Sequence, residues 1–388
     1  MTMRKIDMML TALLLALAMQ AGADEPNVTR SFVFQGAGEN ALACGPVLTV
    51  APNGDWLCAW LGGGRAEPAP ENGAVVTRSA DGGKTWSTPA VVLPRPGTIL
   101  ELYCVGARVW ALGFEYDADS NYTVKRPCRM FSDDNGTTWS APEYLQTTRQ
   151  NVAIESHVLL ANGEWLSPAY FMEPRAEPLP GGTRREYTHT IGCCVAISKD
   201  EGATFETNDE GRVVLHGSID NRPLGLHEPR LVQLGSGRVL MLMRANFDGH
   251  LWQAHSDDNG RTWSEATQMS IPNPSAKVWV GQIGDGRIGL ALNPSEKRRD
   301  PLELWVSSDD AQTWPVHVAL DRYENYTALT APGERHDAGP GWGKGGAWPG
   351  NLSYPFAMLR DGTLHIVYDV ARRDVVMANI RVHAIPQN

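Results

Sequence analysis

One eight-residue pattern recurs five times in this chain and constrains its fold more than any other feature. The pattern is Ser, any residue, Asp, any residue, Gly, any residue, Thr and an aromatic residue. Its copies occupy residues 79–86, 132–139, 198–205, 256–263 and 307–314. Successive copies begin 53, 66, 58 and 51 residues apart, close to the length of one four-stranded propeller blade with its loops. The repeat therefore predicts a ring of similar β-sheets.

The residue types in this pattern are those of a tight turn between two strands. The Asp carboxylate accepts hydrogen bonds from turn amides, the Gly adopts a conformation that a Cβ atom would oppose, and the aromatic ring packs beneath the turn. Phe205 replaces the usual Trp in the third copy, and Ala311 replaces the Gly in the fifth. We expect most of the repeated Asp residues to be structural, and we do not count them as catalytic candidates.

A second, weaker repeat consists of two alternating apolar runs around a turn that contains Gly, which is typical of a β-hairpin. Its six copies occupy residues 46–60, 100–113, 158–171, 231–243, 278–292 and 356–368. With almost no helical periodicity, the two repeats predict an all-β fold, a six-bladed β-propeller of four-stranded antiparallel blades. The sixth blade lacks the turn pattern, so residues 31–34 are expected to pair beside residues 375–382 and close the ring, which removes exposed sheet edges.

The N-terminal segment has the pattern of a signal peptide. Arg4 and Lys5 precede an apolar run over residues 8–19, and the small residues 21–23 follow it. A membrane anchor is the alternative, but about a dozen apolar residues are fewer than the roughly 20 that span a bilayer. We predict a signal peptide over residues 1–23, one propeller domain over residues 24–388, and a secreted or periplasmic protein.

Charge and cysteine content exclude several classes of function. The net charge is −10 and no long basic run occurs, so nucleic-acid binding is not expected. No later segment is long and apolar enough to span a membrane, so no membrane association is predicted after the signal peptide is removed. The six Cys lack the spacing of a metal site, and we predict neither a metal nor a cofactor.

The turn pattern and the six units together resemble the sialidase-like propeller superfamily, over essentially the whole chain after residue 23. That superfamily includes sialidases, other exo-glycosidases, polysaccharide lyases and proteins without known activity, so function depends on the site. In sialidases a Tyr nucleophile is assisted by a Glu, three Arg bind the substrate carboxylate, and an Asp in an early loop acts as acid and base. The resemblance implies an oligosaccharide or polysaccharide substrate, and an acidic one.

Blade four carries the best local match to the sialidases. Residues 226–230 begin a strand that returns at residues 240–244, as in the sialidase stretch where Glu leads the inner strand and Arg ends the next. The resemblance implies that Glu228 is the helper base and that Arg244 binds a carboxylate, with His227 and Arg230 beside them as substrate-binding candidates. A structural ion pair at the rim of the blade is the alternative.

Blade six supplies the candidate nucleophile. Tyr354 precedes Pro355 and enters the strand before the Asp361-Gly362 turn, where sialidases place their nucleophilic Tyr. A neutral phenol can approach an anionic sugar that would repel a carboxylate, which is the reason for using Tyr. The alternative is that Tyr354 only packs at the central channel.

Blade one departs from the sialidase pattern in two ways. Sialidases place an Arg two residues before a Pro at its start, but this chain has Cys44 there. The loop over residues 62–71 lacks an Asp, so Glu67 or Glu71 is the candidate acid and base, and Arg65 is a candidate for a displaced positive charge. For the third carboxylate-binding Arg, we consider Arg298 and Arg299.

Blade three and one long connection offer further candidates. Glu155 and His157 are in phase to face one side of a strand and, with His227, are predicted to form an acid/base set near the channel. A structural His is the alternative in each case. Trp342 and Trp348 lie in residues 321–352, which is longer than an ordinary connection, so they are candidates to stack on a sugar or to anchor that loop.

From these residues we predict a secreted, exo-acting glycoside hydrolase of the sialidase type that removes a terminal acidic sugar. The absence of an Asp in the loop and Cys44 favour a first alternative, which is another exo-glycosidase or a lyase of uronate polysaccharides. In a lyase, His227 or His157 would be the base beside Arg244. A glycan-binding propeller without catalysis is the second alternative.

Overall fold

A computed structural model describes residues 27–37, 41–64, 67–117, 124–147, 149, 151–179, 185–207, 217–219, 222–246, 248–329 and 350–387. The predicted signal peptide, Arg65, Trp342 and Trp348 lie outside these residues. Within the described ranges, no helix has the length and apolar character needed to cross a membrane.

The fold is a six-bladed β-propeller of four-stranded antiparallel blades, as the repeats predict. The first strand in the chain is β1 (Thr29–Phe34). Blade one contains β2 (Ala43–Val50), β3 (Trp56–Gly62), β4 (Gly73–Ser79) and β5 (Ala90–Leu93). Blade two contains β6 (Gly97–Val105), β7 (Arg108–Tyr116), β8 (Lys125–Ser132) and β9 (Glu143–Tyr144). Blade three contains β10 (Val152–Ile154), β11 (Val158–Leu159), β12 (Trp165–Pro174), β13 (His189–Ser198) and β14 (Glu206–Thr207).

The second half of the chain continues the same order. The two-stranded sheet of β15 (Gly217–Ile219) and β16 (Arg222–Leu224) precedes blade four. Blade four contains β17 (Leu226–Gln233), β18 (Val239–Ala245), β19 (His250–Ser256) and β20 (Thr267–Pro272). Blade five contains β21 (Trp279–Gly284), β22 (Arg287–Leu292), β23 (Leu302–Ser307) and β24 (Val316–Asp321). Blade six contains β25 (Leu352–Arg360), β26 (Thr363–Val370) and β27 (Asp374–Arg381), completed by β1.

The helical segments are short. Within the described residues they are one α-helical turn, Arg185–Thr188, and two 3₁₀ segments, Tyr323–Leu329 and Val382–Ala384. The ring closes as predicted, because β1 pairs antiparallel with β27 and Ser31 lies opposite Met377. An N-terminal strand therefore supplies the outer edge of the last blade, which joins the two ends of the chain in one sheet.

The repeated turns are closed by hydrogen bonds within each eight-residue pattern. In the first copy, the Gly83 amide donates to Ser79 Oγ at 2.8 Å. The Asp81 carboxylate accepts from the Thr85 amide at 2.9 Å and from the Thr85 hydroxyl at 2.6 Å. The same bonds recur around Asp134, Asp200, Asp258 and Asp309. These contacts confirm that the repeated Asp residues are structural.

The turns also lock each blade to the preceding one. A Cβ atom on Gly260 of blade four would lie 2.6 Å from Leu166 Cδ1 of blade three, and one on Gly136 would lie 2.8 Å from Leu57 Cδ1. Only Gly allows so close an approach. The Trp residues of the pattern pack against the cores between blades. All six Cys are free thiols, and five of them are buried.

Three inner strands share a bulge that positions the site. The register shifts between Cys44 and Val47 in β2, between His227 and Arg230 in β17, and between Ser353 and Phe356 in β25. The third residue of each strand precedes a Pro and has a positive φ: Gly45 (64°), Glu228 (47°) and Tyr354 (54°). A residue before Pro ordinarily adopts an extended conformation, and a non-Gly residue with positive φ is strained. We call the end of the channel where these three residues lie the bulged mouth.

Candidate active site

Tyr354 is the centre of a cluster of cations at the bulged mouth. The Arg299 guanidinium carbon lies 5.0 Å from the centroid of the Tyr354 ring, Lys277 Nζ lies 5.7 Å from it, and the Arg244 guanidinium carbon lies 6.0 Å from it. Arg244 also hydrogen-bonds to Tyr354. Tyr354 is only 9% exposed.

Glu228 and Arg244 form an ion pair next to this tyrosine. Arg244 Nε lies 2.8 Å from Glu228 Oε2, and both side chains are largely buried. Burial alone would raise the pKa of Glu228, but the Arg244 guanidinium and further nearby cations lower it to about 2. Glu228 is therefore an ionised carboxylate at neutral pH. Because Arg244 contacts both Glu228 and Tyr354, it links the predicted base to the predicted nucleophile.

One backbone carbonyl orients two arginines of the cluster. Arg244 Nη1 donates to the Ser275 carbonyl at 2.6 Å, and Arg299 Nη2 donates to the same oxygen at 2.8 Å. Ser275 has a φ of 56°, and the Asn273 side chain holds this turn through two bonds to Ala276. Two guanidinium groups fixed in this way are preorganised to bind a carboxylate, and little side-chain entropy is lost on binding.

A second group of contacts lies on the blade-one side of Tyr354. Arg372, from the turn between β26 and β27, pairs with Glu67, and its Nη2 lies 3.0 Å from Cys44 Sγ. The Tyr116 hydroxyl donates to Glu67 Oε1 at 3.4 Å. The Glu67 side chain is 25% exposed, whereas that of Arg372 is 11% exposed. The predicted acid/base candidate therefore lies at the mouth and is held by an arginine.

Asp369 lies beneath the mouth and is fully buried. The Gly45 amide donates to Asp369 Oδ2 at 3.2 Å, and Asp369 lies opposite Ser353 in the β25–β26 pair. Burial raises the pKa of Asp369 to about 7, although Arg372 in part opposes the shift. The floor of the site thus contains a carboxyl group that titrates near neutral pH.

Glu155 forms a buried charge cluster inside the channel. It interrupts the inner strand of blade three between β10 and β11 and has no exposed surface. Lys277 Nζ lies 3.0 Å from Glu155 Oε1, and Arg230 Nη1 lies 3.2 Å from Glu155 Oε2. Arg230 also donates to Ser156 Oγ at 2.6 Å. Glu155 and Arg230, both predicted to bind substrate, are therefore bound to each other.

The residues of the predicted set of Glu155, His157 and His227 each have separate partners in the structure. His157 Nδ1 lies 2.7 Å from Glu101 Oε1, and its ring stacks on Trp165 at 3.9 Å. It lines a cavity of about 680 Å³ together with Arg230 and residues of the inner hairpins of blades three, four and five. The inner strand is interrupted between β10 and β11, so Glu155 and His157 do not belong to one regular strand.

His227 is in a different environment from His157. Its Nε2 lies 2.6 Å from Asn246 Oδ1, and the side chain is buried. Burial and the Arg244 charge lower its pKa to about 3, so the ring is neutral at physiological pH. A neutral, hydrogen-bonded His beside Glu228 is suited to positioning and does not carry a proton at neutral pH.

The other sequence candidates occupy less central positions. Glu71 is exposed and lies against Gly64, and Arg298 is exposed. Arg299, the other possibility for a carboxylate-binding arginine, is buried beside Tyr354. Arg65, Trp342 and Trp348 lie outside the described residues.

Sequence reasoning missed several members of the cluster. Lys277, Asp369 and Arg372 were not singled out, and for Lys277 and Asp369 no local pattern marks them. Arg372 follows Ala371 in a turn where both residues have positive φ, and this short connection without Gly or Asn is a signal that sequence inspection could have used. Among the described residues, no group of three or more His, Cys, Asp or Glu side chains is arranged to hold a metal.

The mouth thus presents a phenol and a carboxylate linked by one arginine, two arginines fixed by a shared carbonyl, and a second, partly exposed carboxylate opposite them. Such a set can bind an anionic group, perform nucleophilic attack and transfer a proton.

The chain is similar in sequence to a known family and to a known protein. The family model described as BNR repeat-like domain matches residues 54–366. A sialidase of Micromonospora viridifaciens is 26% identical over 321 residues, which are 74% of this chain and 47% of that protein. The chain thus spans about half the length of this curated relative.

Two solved structures extend the likeness in fold. A Hadza microbial sialidase has a TM-score of 0.64 at 16% identity, covering 90% of this chain and 67% of its own. The intramolecular trans-sialidase of Ruminococcus gnavus has a TM-score of 0.62 at 14% identity, covering 92% of this chain and 98% of its own. At such identities the likeness concerns the fold alone.

Proposed function

Because the chain belongs to the BNR repeat-like domain family and has the sialidase-like six-bladed fold, we propose that it is an exo-acting glycoside hydrolase of the sialidase type. Its substrate is a glycan that ends in sialic acid or a similar acidic sugar. The convergence of Tyr354 from blade six with Glu228 and Arg244 from blade four is the observation that carries this proposal.

Recognition of the substrate rests on its carboxylate. Arg244 and Arg299 are buried, face the Tyr354 ring and share the Ser275 carbonyl, so two guanidinium groups lie side by side next to the tyrosine. Charge-assisted bonds from guanidinium to carboxylate are short and strong. Tyr354 is only 9% exposed, which favours access by a terminal sugar over access by an internal sugar of a chain.

In the first chemical step, Tyr354 Oη bonds to the anomeric carbon while the glycosidic C–O bond breaks. Glu228 accepts the phenolic proton. Glu67, which takes a proton from solvent before this step, gives that proton to the leaving oxygen. In the second step, water loses a proton to Glu67 and displaces Tyr354, which recovers its proton from Glu228. The phenol avoids the charge repulsion that a carboxylate nucleophile would meet beside an anionic sugar.

Export of the protein is part of this proposal. It is supported by the charged and apolar segments at the N-terminus, and it would bring the enzyme to extracellular or periplasmic glycans.

The activity is tested by incubating the full chain with a fluorogenic sialoside and, in parallel, with a panel of acidic polysaccharides. Release of the fluorophore is expected, and Glu228→Gln should reduce it by about 100-fold or more, because the base for the phenolic proton is lost. Glu164→Gln is the matched control, since Glu164 pairs with Arg261 at a repeated turn. This control should keep wild-type activity.

Two results would overturn the proposal that this chain is a hydrolase. Ultraviolet absorbance from unsaturated uronates in the polysaccharide panel would show a lyase. Binding of sialosides without turnover by any variant would show a glycan-binding protein.

A further inference from the structure

The cavity of about 680 Å³ lies in the part of the channel between the bulged mouth and the inner hairpin turns. Its lining residues in blade four run from Arg230, two positions after Glu228, to Leu234 at the hairpin turn. In blade three they run from Ser156 to Ala161, next to the turn of that hairpin. The volume is within the range of about 300 to 1,000 Å³ that is typical of small-molecule sites. The proposed reaction leaves this space unused.

Glu101 gives the cavity a buried carboxylate with one oxygen lacking a partner. It is 5% exposed, and the register of β6 shifts between Ile99 and Glu101, which marks a bulge in the inner strand of blade two. Glu101 Oε1 accepts from the His157 amide at 3.1 Å and lies 2.7 Å from His157 Nδ1. Oε2 is buried and has no hydrogen-bond partner among the described residues. Because an unpaired buried acceptor is costly, a hydrogen-bond donor on a ligand would stabilise it.

His157 is held beside this carboxylate by aromatic packing. Its ring stacks on Trp165 with the centroids 3.9 Å apart and the planes at 1°, and Tyr103 packs edge-on against it at 5.5 Å. Nδ1 faces Glu101, so Nε2 lies on the opposite edge of the ring. Glu101 and His157 both line the cavity. A carboxylate and an imidazole fixed in this way are preorganised to bind hydroxyl groups, which both donate and accept hydrogen bonds.

The walls of the cavity fit a neutral ligand better than an acidic one. Apolar side chains make up much of the lining, Val280 and Phe356 among them. Arg230 also lines the cavity, but its charge is paired with Glu155 at 3.2 Å. The Glu101 carboxylate would repel an anion. A neutral sugar matches this lining, because its hydroxyl groups donate hydrogen bonds and its C–H faces pack against apolar side chains.

The turn end of the channel gives access to the cavity. Leu159 lines the cavity and is 63% exposed. Gln233 connects three blades there, because the Ala161 amide donates to its Oε1 at 2.8 Å and Gln282 Nε2 donates to its carbonyl at 2.9 Å. The rim is therefore fixed before a ligand enters, and little conformational entropy is lost on binding.

We propose that this cavity is a second carbohydrate site, which binds a neutral sugar through Glu101 and His157 at the end of the channel opposite the bulged mouth. A hydroxyl group of the sugar donates to Glu101 Oε2, and its C–H faces pack against the apolar walls. The inference is independent of the proposed function, because neither side chain takes part in the proposed reaction. A protein with this site binds neutral glycans as well as acidic ones.

Calorimetry and saturation-transfer NMR on the full chain test the site with lactose, maltose and cellobiose. At least one of these neutral disaccharides should bind with a millimolar or lower dissociation constant. Glu101→Gln should weaken that binding by about 10-fold or more, because an amide oxygen accepts a weaker hydrogen bond than a carboxylate. Glu115→Gln is the matched control, since Glu115 is also buried in blade two but pairs with Arg126. It should leave the dissociation constant unchanged.

Leu159→Trp tests the cavity without changing the carboxylate. Leu159 is exposed, so an exchange there should preserve the fold. The larger indole takes up space at the entrance, and the same disaccharide should bind at least about threefold more weakly. This variant locates the site if Glu101→Gln does not fold. Unchanged affinity in either folded variant would overturn the inference.

Competition separates this site from the bulged mouth. Saturating 2,3-didehydro sialic acid should leave the affinity for the neutral disaccharide unchanged, and Tyr354→Phe should bind the disaccharide as wild type does. Displacement of the disaccharide by the acid would place it at the mouth and overturn the second site. If none of the three disaccharides binds, the inference fails and the proposed hydrolase stands. Binding of a disaccharide without hydrolysis of any sialoside would overturn the hydrolase alone.

Discussion

Two regions of this molecule hold residues with positive φ, and they do so in different ways. In the repeated turns, the strained positions are mostly Gly or Asn, such as Gly82 and Gly83, or Asn135 and Gly136. At the bulged mouth, the strained residues are Glu228, Ser275, Tyr354 and Arg372. In the turns, suitable residues relieve the strain. At the mouth, the strained positions are occupied by residues of the candidate site, and the backbone strain remains.

The contacts that stabilise the two regions also differ in how far apart their partners lie in the sequence. Each turn is closed by hydrogen bonds among residues at most four positions apart, as between Asp81 and Thr85. At the mouth, Arg372 and Glu67 are separated by 305 positions, and Arg244 and Ser275 by 31. Local closure gives every blade the same turn, whereas only the complete ring assembles the mouth. Strain that is maintained by distant partners therefore marks the functional end of the channel.

Tyr354→Phe should give the largest effect and separate the two regions most clearly. We expect kcat to fall by at least about 1000-fold because the nucleophilic oxygen is lost, with the thermal midpoint nearly unchanged. Tyr326→Phe is the matched control, since its hydroxyl donates to Asp321 at 2.5 Å away from the mouth. It should lower the free energy of unfolding by about 1 kcal/mol and keep kcat. An active Tyr354→Phe variant would contradict the assignment.

Asp369→Asn tests the electrostatics of the mouth through pH. The pKa of Asp369 is raised from 3.8 to about 7, so the folded state keeps a proton that the unfolded state has released between these values. Wild-type stability should therefore fall as pH rises through this window, and the Asn variant should gain up to about 4 kcal/mol over wild type by pH 8. Urea unfolding between pH 4 and 8 measures this difference.

The control for this pH dependence is Asp361→Asn, because Asp361 is exposed on the same blade. A curve for Asp369→Asn that runs parallel to the wild-type curve would contradict the prediction. For the repeated turns, the pH dependence of stability has the opposite sign. Hydrogen bonds from Thr85 hold the pKa of Asp81 below its ordinary value, so that contribution is lost on acidification.

Gly260→Ala should lower stability and leave activity unchanged, which is the opposite of the result expected for Tyr354→Phe. Gly260 has a φ of 84°, and its new Cβ atom would meet Leu166 Cδ1 at 2.6 Å. Strain and overpacking together should lower the free energy of unfolding by about 2 to 3 kcal/mol, measured by urea unfolding. The rate per folded molecule should stay at the wild-type value, because the mouth is untouched. Loss of activity without loss of stability would refute the division between the two regions.

Ala311→Gly should give the smallest effect, and in the stabilising direction. Ala311 occupies the Gly position of the fifth turn with a φ of 63°. Relief of that strain should exceed the added freedom of the unfolded chain, for a net gain of about 0.5 kcal/mol in urea unfolding. Ala254→Gly in β19 is the control and should destabilise, since strand Ala is not strained. Destabilisation by Ala311→Gly would show that the turn tolerates a Cβ atom freely.

The same contrast explains how much was predictable from sequence. The blades, the turns and the closing strand could be predicted because their signals are periodic and local. Glu228, Arg244 and Tyr354 could be placed because their strands match a known pattern. Arg372 and the Ser275 carbonyl could not, because their roles depend on how separate blades meet. His157 was grouped with Glu155 because regular alternation was assumed, and the break between β10 and β11 removes it.

Covalent capture of the nucleophile tests the central claim most directly. A fluorinated sialosyl fluoride should react with the wild-type protein and leave a sugar on Tyr354, because the fluorine slows the second step more than the first. Trypsin releases residues 345–360 as a peptide in which Tyr354 is the only tyrosine. We predict that mass spectrometry finds this peptide heavier by one fluorinated sialosyl group, with the modification on Tyr354. Turnover of sialosides without this adduct, or an adduct on Glu67 or Glu228, would contradict the account.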